Sequence, residues 1–310
     1  MRFHARALVF GGVTAMLSAC GGADTDAGTT PATEPKVASE FVFTAIPDQD
    51  VRRLEQRFGA VADYLADALE VPVRYVPVKS YAAAVTAFVN DDVQLAWFGG
   101  LSGVQARLQV PDARAIAQGE SDPNYYSVLI AHRSTGLQPL AELTDALRGK
   151  TLTFGSKGST SGRLMPEFFF REHYGQSPQE VFSRVGYSGD HTRTIALVQA
   201  GAWDLGVLGY TTWETEKANG RVDPELVQQI WASPGYPDYQ WTIRGDVDAR
   251  FGDGFSGRVQ QVLLDIDDPD MLQRFARSRF IPARNADYAP ILDTARAVGL
   301  IDPPDTATTP

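Results

Sequence analysis

The residues best placed to do chemistry run from Thr151 to Pro166. A short β-rich run, Thr151-Leu-Thr-Phe154, enters a loop of glycines and hydroxyls, Gly155-Ser-Lys-Gly-Ser-Thr-Ser-Gly162, and an apolar run follows through Leu164, Met165, Phe168 and Phe169. Strand, loop, helix start is the order this pattern predicts. A helix N-terminus carries unpaired N–H groups and the positive end of the helix dipole, so it can hold an anion. Ser159, Thr160 and Ser161 add neutral hydroxyl donors at the same point. Three better-known motifs fail here. Lys157 precedes Gly158, the reverse of a P-loop, the glycine spacing of a dinucleotide fingerprint is absent, and Thr160 rather than serine stands at the centre of Gly158–Gly162. Taken alone, the segment equally describes an ordinary capped helix.

The elements around the loop set its context. The chain has 310 residues, a net charge of −10 and one cysteine. Arg2, His4 and Arg6 followed by the apolar run Ala7–Leu17 read as an export signal over 1–20, too short for a membrane span. It ends in Leu17-Ser-Ala-Cys20, which resembles a bacterial lipobox, so Cys20 is the expected lipidation site. Residues 21–39, rich in Gly, Ala, Thr, Pro and Asp, read as a flexible tether, and 303–310 as a disordered tail. The acidic balance argues against nucleic acid. It does not exclude a small anion, because local dipoles govern a buried site.

From Phe41 the pattern alternates strand and helix. Strands are expected at Phe41–Ile46, Val71–Val78, Val93–Phe98 and Tyr125–Ala131, with helices between them, one capped by Ser80. The alternation restarts with a helix over Leu140–Leu147, a strand at Thr151–Phe154 and a helix over Ser161–Tyr174. Strands at Arg184–Tyr187, Leu205–Leu208 and Val227–Trp231 follow, then an aromatic crossing at Ser233–Trp241 and a mostly helical end. This is an α/β chain with two units, and ligands in such sheets bind beyond the carboxyl ends of the strands. Two facing units would close on a small ligand about a hinge.

Several motifs in order carry a family resemblance. Ala45-Ile-Pro-Asp-Gln-Asp50, Ser80-Tyr-Ala-Ala-Ala-Val85, Leu95-Ala-Trp-Phe-Gly-Gly100, Gly158-Ser-Thr-Ser-Gly162, Ser188-Gly-Asp-His191 and Ser233-Pro-x-Tyr-Pro-Asp238 resemble the phosphate/phosphite/phosphonate class of ABC-transporter substrate-binding proteins. The match runs from Phe41 to Asp302 and is closest to a branch assigned to selenate transporters. The resemblance implies a two-lobed, type II periplasmic binding protein fold. Each lobe would be a mixed, mostly parallel sheet flanked by helices, with the ligand between them. It implies one lobe from 40–132 plus 238–302 and the other from 133–237. It further implies anion contacts from Ser159, Thr160, Ser161, His191, Tyr81 and Tyr125, with an acidic partner at Asp238. A glutamate that holds the amine of aminophosphonates in some relatives is replaced here by Thr212, which points away from an amine-bearing ligand.

Trp97 and Phe98 end a strand and fit core and pocket wall equally. Tyr210 follows another strand end and joins the expected ligand set, while Tyr236 and Tyr239 lie on the crossing as hinge or pocket residues. His132, His173, Lys157 and Arg163 are expected to be structural or solvated. Asp190 is the sharpest discriminator: a carboxylate at an oxyanion site repels a fully ionised anion but accepts a hydrogen bond from one that keeps a proton. If Asp190 or Asp238 faces the pocket, phosphorus oxyanions are favoured; if both face outward, selenate is. The expected function is a lipid-anchored, monomeric periplasmic protein that captures phosphonate, phosphite, phosphate or selenate and delivers it to an ABC permease and its ATPase, with no catalysis, cofactor or metal. Two alternatives are a ligand-sensing lipoprotein feeding a receptor and an exported hydrolase using Ser159 or Ser161 with His191 and Asp190.

Overall fold

The computed structural model describes residues 40–302. The expected signal with Cys20, the tether and the tail lie outside the described residues. The first strand, β1 (Phe41–Ala45), is buried at every position, as expected of a strand covered by helices on both faces. It ends in Ile46-Pro-Asp-Gln, and Asp50 caps the long helix α1 (Val51–Leu69), its carboxylate accepting from Arg52 N–H at 3.1 Å. Leu54, Phe58, Val61, Leu65 and Leu69 form the buried stripe of α1.

The same device repeats along the chain. Strands β2 (Val73–Tyr75), β3 (Leu95–Phe98) and β4 (Arg114–Gly119) alternate with α2 (Tyr81–Val89) and α3 (Gly100–Gln109). The second unit contains β5 (Ser127–His132), β6 (Thr151–Phe154), α4 (Met165–Tyr174), α5 (Pro178–Val181), β7 (Arg184–Tyr187), α6 (His191–Gln199), β8 (Leu205–Gly209), α7 (Tyr210–Ala218) and β9 (Val227–Ala232). The chain then returns through β10 (Gln240–Ile243), α8 (Val247–Phe251), α9 (Phe255–Leu264), α10 (Pro269–Phe275), β11 (Phe280–Pro282) and α11 (Ala289–Val298). The strands form a six-stranded sheet, β11-β4-β10-β3-β1-β2, and a five-stranded sheet, β7-β6-β8-β5-β9.

Three expectations change. The strand at Ser127–His132, expected in the first unit, belongs to the second sheet, where β5 pairs with β8 and β9. The sheets are evenly mixed rather than mostly parallel: β1 with β2 and β3, and β6 with β7 and β8, are parallel. The strands that follow each crossing, β5 and β10, run antiparallel to both neighbours. The segment Leu140–Leu147 is not a helix beyond a single 3-10 turn at Asp145–Leu147. Leu140 N–H instead bonds Ile230 C=O at 2.6 Å, tying the segment to β9, while Leu143 and Leu147 reach the core from a loop.

Two crossings join the lobes and touch each other. Tyr125 and Tyr236 form an isolated antiparallel bridge, with Tyr236 N–H on Tyr125 C=O at 2.8 Å. Asp238 N–H reaches Asp122 C=O at 3.1 Å. The Asp122 side chain is itself buried, ion-paired with buried Arg277, and accepts from Gly119 N–H at 2.8 Å. The Arg277 guanidinium lies over the rings of Tyr125 and Tyr239, 5.6 and 5.4 Å from their centroids. Burial alone would lower the Arg277 pKa, but Asp122 outweighs it and keeps the guanidinium charged.

Candidate functional site

Helix starts from both lobes meet where the strands end. After β6 the chain enters a π-helical turn, Thr160–Leu164, which runs into α4. Ser159 caps it, its hydroxyl accepting from Gly162 N–H at 2.8 Å; such wide turns are rare and recur at functional sites. Gly162 lets the turn pack closely, because a Cβ there would meet Ser159 Oγ at 2.9 Å and His191 Cε1 at 3.1 Å and displace them. Ser159, Thr160 and Ser161 are all buried.

The lobes are closed on one another through these turns. Thr160 Oγ1 accepts from Leu101 N–H, at the start of α3 in the other lobe, at 3.0 Å. The neighbouring Gly100 N–H donates to Asp238 Oδ1 at 2.9 Å. On the opposite side, His191 N–H, at the start of α6, donates to Asp48 C=O at 2.9 Å. Tyr239 O–H donates to Asp48 Oδ2 at 2.9 Å and lies 3.4 Å from His191 Nε2. Tyr81, at the start of α2, backs onto the loop, since a Cβ on Gly158 would meet Tyr81 Cβ at 3.0 Å.

Asp48 Oδ1, Tyr81 Oη, His191 Nδ1 and Asp238 Oδ2 are buried with no hydrogen-bond partner. Buried polar atoms are almost always paired, so such a cluster contributed by both lobes and the crossing marks this point as the candidate site. Its electrostatics follow from burial. Desolvation pushes the Asp238 carboxyl up to about 7, against the pull of Gly100 N–H and the Thr160 hydroxyl. Burial lowers the His191 imidazole pKa, although Asp48 and Asp190 raise it. Burial, then Asp48 and Asp238, push the Tyr81 hydroxyl well above its ordinary range, so it stays a donor. Arg57 is the buried cation on this side, its pKa lowered by burial and raised by Asp48, and it bonds Gln49 Oε1 at 3.4 Å. Among the described residues no cluster of His, Cys, Asp and Glu could hold a metal.

The expected ligand residues divide. Tyr81, Ser159, Thr160, Ser161, His191 and Asp238 converge on this point. Tyr125 is fully buried in the first crossing; its hydroxyl pairs with Thr211 Oγ1 at 2.6 Å and its ring meets Tyr239 at 5.3 Å between centroids. Trp97 stacks behind Tyr239 at 5.5 Å and supports the wall from the core. Phe98 does not belong to the site: successive strand residues face opposite ways, and its ring packs on Phe88 at 5.6 Å. Tyr210 is set back, stacked on Tyr126 at 4.2 Å. Asp190 caps α6, its Oδ1 accepting from Arg193 N–H and Thr192 Oγ1, both at 2.7 Å. With Asp190 so engaged and His191 Nε2 turned to Tyr239, no Ser–His–Asp relay forms among the described residues.

Asp48 and Tyr239 complete the site. Tyr239 is expected on the crossing as a hinge or pocket residue, whereas Asp48 reads in the sequence only as a turn residue. The available signal for Asp48 was position: it lies just past the carboxyl end of β1, and Asp50, two residues on, already supplies the helix cap.

A two-lobed α/β fold closed over a cluster of hydroxyls, a histidine and carboxylates at helix N-termini defines a solute-binding protein of the periplasmic type. Residues 43–288 match the family model described as "ABC transporter, phosphonate, periplasmic substrate-binding protein", and the chain belongs to that family. Over 264 residues it is 39% identical to the "Probable ABC transporter phosphite binding protein PhnD1" of Prochlorococcus marinus (strain MIT 9301), covering 83% of this chain and 89% of that protein. The crystal structure of PhnD1 from the same organism in complex with methylphosphonate superposes with a TM-score of 0.81, covering 84% of this chain and 99% of that one. The phosphonates-binding periplasmic protein of Escherichia coli (strain K12) is 26% identical over 216 residues, covering 67% of this chain and 62% of its own. A binding protein component of an ABC phosphonate transporter from Pseudomonas aeruginosa, 19% identical over 84% of this chain and 86% of its own, shares the fold with a TM-score of 0.73.

Proposed function

We propose that this protein captures a small phosphorus oxyanion that keeps a proton, phosphite or a simple alkylphosphonate, and presents it in the closed form to an ABC permease driven by its ATPase. The observation that carries this reading is the pair of buried carboxylates, Asp48 beside Tyr239 and His191 and Asp238 beside the Thr160 and Ser161 hydroxyls, each with an oxygen that has no hydrogen-bond partner. Hydroxyl and helix N-terminal donors suit the oxyanion charge, and the carboxylates accept from its P–OH. Selenate and sulfate, fully ionised at neutral pH, offer these acceptors nothing. The names of the relatives, phosphite and phosphonate binders, support the same choice. Thr212, buried and 3.4 Å from Gln49 Nε2, offers no charge for an amine.

The chain acts as a monomer held to the membrane by lipid at Cys20, and binds without catalysis. Its lobes divide near Tyr125 and Asp238. Calorimetric titration with phosphite, methylphosphonate, phosphate, selenate and sulfate tests the ligand class. Tight binding of phosphite or methylphosphonate with no response to selenate is expected; tight selenate binding with silence toward every phosphorus anion would overturn it.

A further inference from the structure

The lobes are also joined outside the ligand cluster. Glu216, in the last turn of α7 and buried, is paired with Arg53 from α1 across the cleft and with Arg221 from its own lobe. Arg221 donates through Nε at 2.6 Å and Nη2 at 3.0 Å, and Arg53 Nη2 lies 3.4 Å from the second carboxylate oxygen. Beside it, Gln49 Nε2 reaches Thr212 Oγ1 at 3.4 Å, a second α1-side to α7 contact. Burial pushes the Glu216 carboxyl up, but the hydrogen bonds from Arg221 and Arg53 outweigh it and hold the group below the ordinary carboxylate range.

We infer that Arg53 and Glu216 form a clasp that sets ligand affinity by stabilising the closed lobes, without touching the ligand. Two features support a switchable contact over a fixed one. Arg53 sits in the first turn of α1, which holds no acidic residue. A cation there opposes the helix dipole, so it gains from an anion brought to it by closure. Arg221 stays with Glu216 when the lobes part, so opening strands no buried charge and the clasp can release. The apparent dissociation constant scales inversely with the closed-competent fraction, so a contact made only on closure tightens every ligand by one common factor.

The test compares the full chain with its R53A and E216Q variants, using phosphite and methylphosphonate as probes in stopped-flow and calorimetric titration. Both variants should raise the dissociation constant for both probes by the same factor, about two- to fivefold, mainly through faster dissociation. In the ligand-free protein, a spin-label distance across the cleft should shift toward the open value in both variants. R221A, which leaves the cross-lobe pair in place, should change affinity less than R53A. An R53A effect on one probe only would make Arg53 a ligand contact and overturn the clasp, as would unchanged affinity and unchanged interlobe distance. Should the wild-type chain bind neither probe, the proposed ligand class fails while the ligand-free distance still decides the clasp.

Discussion

Asp238→Asn isolates the group that should decide between anions. Asparagine keeps the volume and can still accept Gly100 N–H, but it places a donor where Asp238 Oδ2 is an unpartnered acceptor. At pH 8, above the value of about 7 to which burial pushes Asp238, the wild-type carboxylate is charged, and phosphite or methylphosphonate binds with uptake of one proton from solvent, so that its P–OH donates to Asp238. A hydrogen bond to a charged group contributes about 1.5–3 kcal/mol. Losing it should weaken methylphosphonate and phosphite roughly 10- to 150-fold at ~1.36 kcal/mol per decade. Selenate instead faces like charge, worth roughly 4 kcal/mol at ~4 Å and an effective dielectric of ~20. A carboxyl at about 7 takes up a proton at pH 8 for only ~1.4 kcal/mol, which caps this repulsion, so neutralising Asp238 should tighten selenate by up to ~10-fold and narrow the preference by roughly 100-fold. Asp48 remains in both proteins and cancels in the comparison.

The same group makes a signed pH prediction. Its carboxyl rises from the ordinary 3.8 to about 7 on folding. The stability it contributes is therefore complete below 3.8, is lost as pH rises through about 7, and is constant above that. In the ligand-free wild type this slope should total ~4 kcal/mol and vanish in D238N. Below pH 7 the protonated carboxyl also becomes a donor, so wild-type selenate binding should improve toward pH 5.5 while D238N stays flat. Calorimetry at both pH values reads this. A variant that weakens every anion alike, together with a flat wild-type selenate profile, would refute the proton-acceptor argument.

Three further outcomes follow from separate parts of the molecule. Arg277→Met leaves Asp122 charged and buried with Gly119 N–H as its remaining side-chain partner; thermal melting should report a loss of about 3–5 kcal/mol, reduced when Asp122→Asn is added. His191, its pKa lowered from the ordinary 6.5 by burial, should protonate at lower pH than a free imidazole in an NMR titration; the stability it contributes is complete above 6.5 and lost as pH falls below it, so His191→Gln should be less acid-sensitive. Cys20→Ser should move the protein from the membrane fraction to the soluble periplasm, read by fractionation and by the mass of the mature N-terminus.

What could be read from the sequence was what depends on near neighbours. Ser80 and the Ser159 loop announce helix starts by residue type, and both cap as expected, Ser80 accepting from Ala83 N–H at 3.1 Å. Phe98 and Leu140–Leu147 misled because an apolar residue looks the same whether it faces the cleft, the core or a neighbouring strand. The two acids at helix starts show the limit most clearly. Asp190 and Asp48 each follow a strand end, yet Asp190 answers to amides on its own helix, while Asp48 is held by Tyr239, 191 residues away. Asp238 likewise has its meaning from Gly100, 138 residues distant. In a closed two-lobed site, an acid already engaged as a local cap has little left for a ligand. Selectivity then falls to the carboxylates whose partners arrive from another part of the chain, Tyr239 for Asp48 and Gly100 for Asp238. Ligand choice and lobe closure thus fall to different side chains: substitutions at Asp48 or Asp238 should alter which anion is held, whereas substitutions at Arg53 or Glu216 should alter how tightly any anion is held.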